Sequence, residues 1–140
     1  MRSALSFALL CATAFAAPVP KELKKAPKLE GEWEMIGRHA GGKEVASSFA
    51  LWRIDEKNIF IFFAGDVEGK PTYTSIIHSI DLQSKPMTLD YTNHAGLYRK
   101  AIVFLEADKL TLCISFDTPA NRPAAFGAAN ADTYVYKRVK

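Results

Sequence analysis

The chain has 140 residues, a net charge of +3 at pH 7, and 49% hydrophobic residues. This length suits a single domain, which buries about two-thirds of the surface of its unfolded chain. Neither an internal repeat nor a second domain boundary is visible. Charges are interspersed beyond residue 28, so no basic patch predicts nucleic-acid binding.

The first residues have the features of an export signal. Met1–Ser3 is positively charged, Ala4–Ala14 is apolar, and Ala14–Ala16 fits a small-x-small cleavage site. The apolar run is far below the ~18 residues needed to span a bilayer. Cys11 follows a bulky residue, which disfavours lipid anchoring. We therefore predict a signal peptide over residues 1–16, cleavage after Ala16, and a secreted or periplasmic protein without a membrane span.

A basic, proline-containing segment follows the predicted cleavage site. Residues 17–28 contain four lysines and three prolines, a composition typical of an extended, solvated tether. Contact of these lysines with an anionic lipid or polymer is the disfavoured alternative. The domain itself is predicted over residues 29–140.

The predicted mature chain retains one cysteine, Cys113. An intramolecular disulfide is then impossible, although the compartment is oxidising. No neighbouring histidine or other base favours a thiolate, so we expect a buried, unreactive thiol.

From Leu29 onward the hydrophobic period is two, which indicates β-strands. Glu44–Phe49 has the composition for one helical turn. Ile59–Phe63 is apolar on both faces and needs a cover on its outer side. Turn residues separate about eight short strands, as in an antiparallel barrel or sandwich. The predicted strands are Leu29–Arg38, Phe49–Ile54, Ile59–Phe63, Thr72–Ile80, Met87–Tyr91, Tyr98–Leu105, Leu110–Phe116 and Thr133–Val139.

The two ends of this strand series carry a matching pair of residues. Gly31 and Trp33 lie near its start, and Arg138 lies near its end. In a closed barrel the first and last strands meet, so the indole can plug one end with the guanidinium across its face. Such a cation–π contact is worth roughly 0.5–2 kcal/mol. We predict a structural role for all three residues.

The sequence from Leu29 to Trp33 resembles the Leu-x-Gly-x-Trp opening of the planctomycete-type lipocalin-like domains, which are small secreted proteins of uncharacterised function. The resemblance covers residues 29–138. It implies a calycin-like β-barrel and brings no established reaction, ligand or catalytic residue. Further matching positions are Ile80-Asp81 to Pro86, Leu89-Asp90, Leu110–Cys113, Arg122-Pro123, Phe126 and Lys137-Arg138.

Few residues form patterns that carry chemistry. The three histidines, His39, His78 and His94, lack metal-ligand spacing, and no phosphate loop or nucleophile motif is present. Asp81 and Asp90 flank a turn, where carboxylates commonly accept hydrogen bonds from backbone amides. Arg122 and Pro123 lie in a loop that Arg122 is expected to pin to the barrel through carbonyls or a carboxylate, with anion binding as the weaker alternative. We predict no catalytic residue, no metal and no cofactor.

The favoured function is non-catalytic binding of a small apolar ligand inside the barrel, since eight strands enclose room for one such ligand. The alternative is a protein-interaction or inhibitor-like module that uses loops and the Ile59–Phe63 strand; a hydrolase is disfavoured. The site is expected at the mouth opposite Trp33. Aromatic residues are the candidate walls, although in a small barrel aromatics also fill the core; they are Trp52, Phe60, Phe62, Tyr73, Phe104, Phe116 and Tyr134.

Overall fold

Antiparallel strands account for all the regular structure in the described part of the chain. The computed structural model describes residues 28–47, 51–66, 68–116 and 121–139. These residues contain no helix, and so none that could cross a membrane. Their strands are β1 (Gly31–Ala40), β2 (Lys43–Glu44), β3 (Leu51–Ile54), β4 (Asn58–Phe62), β5 (Tyr73–Asp81), β6 (Met87–Thr92), β7 (Tyr98–Leu105), β8 (Lys109–Ser115) and β9 (Ala131–Arg138).

Eight of these strands close into a barrel. Each strand from β3 to β9 pairs antiparallel with the next, and β1 pairs with both β3 and β9. The short β2 folds back on the end of β1 through Gly41 and Gly42, which both have positive φ. At Gly41 a Cβ atom would lie 3.0 Å from the carbonyl oxygen of Ala129. The turn therefore requires glycine both for its positive φ and because there is no space for a side chain. The predicted all-β, eight-stranded antiparallel barrel is confirmed.

Most strand boundaries differ from the sequence prediction by one or two residues. The strand β1 runs from Gly31 to Ala40 and is thus shifted by two residues at both ends from the predicted Leu29–Arg38. The strand β2 was not predicted, and it occupies the start of the segment to which a helical turn was assigned. The strand β9 begins at Ala131, two residues before the predicted start. The strand β3 begins at Leu51 in the described chain. The predicted signal peptide and tether, apart from Lys28, lie outside the described residues.

One end of the barrel is closed by Trp33, which is fully buried. Its indole N–H donates to the carbonyl of Leu29 at 2.8 Å. The guanidinium carbon of Arg138 lies 4.1 Å from the centroid of the Trp33 ring, so the predicted cation–π contact is confirmed. Arg138 also donates to the carbonyls of Lys28, Glu30 and Ala107. The last strand is thereby tied to the start of the domain and to the β7–β8 turn.

The loop between β8 and β9, described over residues 121–130, covers part of the outer face of the barrel. Ile102, Cys113 and Ala131 are buried beneath it, next to the partly buried Ala128. The Cys113 thiol is fully buried and lies 3.7 Å from the carbonyl oxygen of Ala125. This agrees with the expected buried thiol.

Arg122 anchors the same loop. Its guanidinium forms an ion pair with Asp90 at 2.8 Å and donates to the carbonyl oxygen of Ala101 at 2.6 Å. Pro123, the next residue, is buried. Arg122 therefore holds the loop against β6 through a carboxylate and against β7 through a backbone carbonyl, which are the two kinds of partner predicted for it.

A bulge in β1 sets which of its side chains enter the barrel. Opposite β9, Met35 pairs with Tyr136 and Gly37 pairs with Val135, which leaves Ile36 as the extra residue. A one-residue bulge reverses the faces of the residues that follow it. Trp33 and Met35 therefore face inward, and so does Arg38 beyond the bulge.

Candidate functional site

The end of the barrel opposite Trp33 contains a cavity of about 200 Å³ that opens to solvent. It lies where β4, β6 and β8 end and where β5, β7 and β9 begin. Its lining combines aromatic and aliphatic walls with a small polar set: Trp52, Ile61, Ser75, Tyr91, Asn93, His94, Arg99, Ile114 and Tyr134. The cavity lies at the end of the barrel where the sequence predicts a ligand site.

Aromatic side chains separate this cavity from the core. The ring of Trp52 packs on that of Tyr136 with 4.7 Å between centroids. Trp52 and Tyr91 are each 5% exposed. Burial, together with the nearby Asp132 carboxylate, raises the pKa of Tyr134 to about 12. Burial also raises the pKa of Tyr91. Both phenols therefore remain protonated at neutral pH.

An ion pair lies beside the cavity on β1 and β9. Arg38 donates to Asp132 at 2.8 Å, and the Tyr134 hydroxyl donates to the same carboxylate oxygen at 3.1 Å. The guanidinium carbon of Arg38 lies 5.5 Å from the centroid of the Tyr134 ring. The Asp132 carboxylate is thus neutralised by Arg38, and the pair fixes the Tyr134 ring in the cavity wall.

Arg99 supplies the cationic side chain of the cavity lining. It lies opposite Tyr91 and one alternation step from the inward-facing Ala101, so strand geometry turns it into the barrel. Its terminal nitrogen donates to the carbonyl oxygen of Ser115 at 3.2 Å. Within the described residues Arg99 has no carboxylate partner, and its buried Nε has no hydrogen-bond acceptor.

The rim of the cavity is formed partly by stacked rings. Tyr73 stacks on His94 with 3.9 Å between centroids, and it meets Phe63 edge-on at 5.6 Å. The β6–β7 turn that carries His94 is held by the side-chain oxygen of Asn93, which accepts from the amides of Ala95 and Leu97. The turn chemistry therefore positions His94 over Tyr73.

The candidate wall residues from the sequence separate into two groups. Trp52 and Tyr134 line the cavity, and Tyr73 stands at its rim, 37% exposed. Phe60 and Phe62 do not line it, because Ile59 and Ile61 take the inner face of β4; the guanidinium of Arg53 lies over Phe62 instead.

The remaining two candidate walls also lie outside the cavity. Phe104 is 49% exposed on the outer face of β7, since its neighbours Val103 and Leu105 point inward. Phe116 follows the end of β8, beyond the rim, and is 47% exposed. Neither residue can form a wall.

The two aspartates singled out from the sequence have different partners. Asp81 accepts from the amides of Gln83 and Ser84, as expected for a turn carboxylate. Asp90 instead forms an ion pair with Arg122 and accepts a hydrogen bond from the Tyr98 hydroxyl. The expectation of backbone amide partners is wrong for Asp90, because it lies inside β6, where those amides are engaged in the sheet.

The histidines remain in separate settings. His78 contacts the Thr92 hydroxyl at 2.7 Å on the outer face, whereas His94 lies at the cavity rim. Within the described chain no group of histidine, cysteine and carboxylate side chains has the arrangement of a metal site.

Sequence reasoning missed the polar half of the site, namely Arg99, Asn93, His94 and the Arg38–Asp132 pair. A signal was present for two of them. Counting back in steps of two from the buried Val103 gives Arg99, and counting back from Tyr134 gives Asp132. The same counting fails for Arg38, because the extra residue at the β1 bulge reverses which positions of the strand face inward.

Comparison with known proteins adds no functional assignment: no family model, curated protein or solved structure shows significant similarity to this chain.

Proposed function

We propose that this protein is an exported lipocalin-like carrier or sensor domain that binds a small, largely apolar molecule at the open end of its barrel without converting it. The cavity of about 200 Å³, walled by Trp52, Ile61 and Ile114, is the observation that supports this proposal most strongly. Binding sites of this kind are concave and mostly apolar, with a few placed polar groups.

The cavity size limits the ligand. Pockets for drug-sized ligands are larger, about 300–1,000 Å³. The proposed ligand is therefore a compact molecule, with a single ring or a short alkyl chain, rather than a long-chain lipid.

The state of the nearby titratable groups favours binding over catalysis. Asp132 is paired with Arg38, and Asp90 with Arg122 on the outer face. The raised pKa values of Tyr91 and Tyr134 keep their hydroxyls protonated at neutral pH. A general base needs a pKa near the working pH and access to the proton that it removes. These groups are better suited to hold a ligand than to attack it.

Isothermal titration with small aromatic and short-chain compounds tests the proposal. Ile114→Phe fills the cavity and is expected to abolish binding. Ile76→Phe is the matched control, because Ile76 lies on another strand and is 54% exposed; it is expected to bind as the unaltered protein does. Absence of binding by every compound, or equal binding by both variants, would contradict a site in this cavity.

A further inference from the structure

The charges around the cavity do not balance. Arg38 and Asp132 neutralise each other at 2.8 Å, and the Tyr134 hydroxyl completes the coordination of that carboxylate oxygen. The neighbouring Arg99 has no such counter-charge within the described residues. Among the described residues, the open end of the barrel therefore presents one positive charge to the cavity without a carboxylate partner.

Two buried donors without acceptors belong to the cavity lining, one on β3 and one on β7, which lie on opposite sides of the barrel. Arg99 Nε and Trp52 Nε1 are both buried and lack hydrogen-bond partners within the described chain. The remaining bond of Arg99, to the Ser115 carbonyl, is at the long end of the usual range at 3.2 Å. A buried donor without an acceptor is costly, so such atoms indicate where a ligand acceptor belongs.

From these observations we infer that the ligand is a small organic anion, a monocarboxylate whose carboxylate is held by Arg99 and whose apolar body lies against Trp52, Ile61 and Ile114. The inference rests on the proposed function and specifies its ligand class. The planar guanidinium matches a carboxylate in geometry and gives short, charge-assisted hydrogen bonds. A single positive charge in a partly desolvated cavity lining favours a ligand that carries a single negative charge.

The aromatic lining supports the same orientation. The protonated phenols of Tyr91 and Tyr134 flank Arg99 and carry no charge that would compete for it. Because Asp132 is already held by Arg38 and Tyr134, it does not repel an incoming anion as a free carboxylate would. The carboxylate is accordingly placed on the β6–β7 side of the cavity.

The test compares phenylacetate with 2-phenylethanol, which share a carbon skeleton and differ in charge. Titrations at pH 7 are expected to show the carboxylate bound about 10- to 100-fold more tightly than the alcohol, the range for hydrogen bonds to a charged group. Arg99→Gln should weaken the binding of phenylacetate at least about tenfold more than the binding of 2-phenylethanol, because only the carboxylate loses a charged hydrogen-bond partner. Arg53→Gln, at the exposed ion pair with Glu32, should retain the preference.

The outcomes separate this inference from the proposed function. Equal binding of carboxylate and alcohol by the unaltered protein would overturn the anion inference and leave a ligand-binding barrel. An equal loss of both ligands in a folded Arg99→Gln protein would also overturn it, because Arg99 would then be only structural. Binding of neither compound contradicts the inference and the proposed function together. If circular dichroism shows Arg99→Gln unfolded, the comparison of the two ligands on the unaltered protein decides.

Discussion

At the closed end of the barrel, single side chains connect segments that are distant in sequence. Arg138 reaches the carbonyls of Lys28 and Glu30 at the start of the domain and that of Ala107 in the β7–β8 turn. Its guanidinium also covers the ring of Trp33. One residue thus caps the barrel end and holds the first strand against the last.

Replacing Trp33 tests the importance of this cap. Trp33→Ala removes a fully buried indole and is expected to lower the free energy of unfolding by about 3–5 kcal/mol, measured by urea denaturation. The control is Phe104→Ala, which also truncates a large aromatic side chain but at a half-exposed outer position. Similar losses in the two variants would show that the Trp33 plug has no special role.

The residues of the open end show where sequence reasoning reaches its limit. Alternation in β7 was sufficient to place Arg99 inside, but a charged side chain is assumed to face solvent unless a site requires otherwise. Arg38 was out of reach, because the extra residue at Ile36 reverses the faces of β1 and nothing in the sequence marks this bulge.

Among the elements, the loop over β7, β8 and β9 creates a second, smaller core. It buries Ile102 and Cys113 on the outside of the barrel, and Arg122 fastens it to Asp90 and Ala101. The outer face of a barrel strand usually meets water. Cys113 lies on that face, because it alternates with inward-facing residues, and it is buried because the loop covers it.

Thiol labelling measures how firmly this loop is held. Cys113 is expected to resist a maleimide reagent in the native protein, and Arg122→Ala is expected to raise its labelling rate at least about tenfold, because the loss of one charged hydrogen-bond partner costs on the order of 1.5–3 kcal/mol. Mass spectrometry of the Cys113 peptide gives the rate. Arg53→Ala, which breaks the exposed pair with Glu32, should leave it unchanged. Equal rates in all three proteins would contradict the anchoring role.

Strand existence was predictable, whereas strand facing was only partly so. In β8 the alternation of Leu110, Leu112 and Ile114 matches the inner face, whereas Phe116, the last residue of the same sequence pattern, lies past the end of the strand and is 47% exposed. In β4 both faces are apolar, so the sequence does not distinguish Ile59 and Ile61 from Phe60 and Phe62. Phe60 and Phe62 are candidate walls in the sequence analysis only because they are aromatic. Cross-strand pairing with β3 and β5 decides the question, and that information is non-local.

Considered as a whole molecule, the barrel has two unlike ends. Trp33 and Arg138 fill one end, and the opposite end opens into the cavity around Arg99. Trp52 and Tyr136 form the boundary between the packed half and the open half. This polarity limits the entry of a ligand to one direction.

Export is predicted for the entire chain from its first sixteen residues. Intact-mass analysis of the secreted protein is expected to give a chain that begins at Ala17 and carries no disulfide. A product that retains Cys11 or carries a lipid would contradict soluble export. A covalent dimer through Cys113 would contradict the buried state of that thiol.

The central claim, a ligand site at the open end alone, is tested most directly by the two indole N–H signals of the protein in a ¹H–¹⁵N NMR titration. The chain has two tryptophans: Trp33 lies in the closed end, and Trp52 faces the cavity. With phenylacetate, we expect a saturable shift of the Trp52 signal that exceeds any shift of the signal of Trp33, its cross-strand neighbour. An unchanged Trp52 signal at saturating concentrations of phenylacetate and 2-phenylethanol, or a shift confined to Trp33, would contradict the central claim.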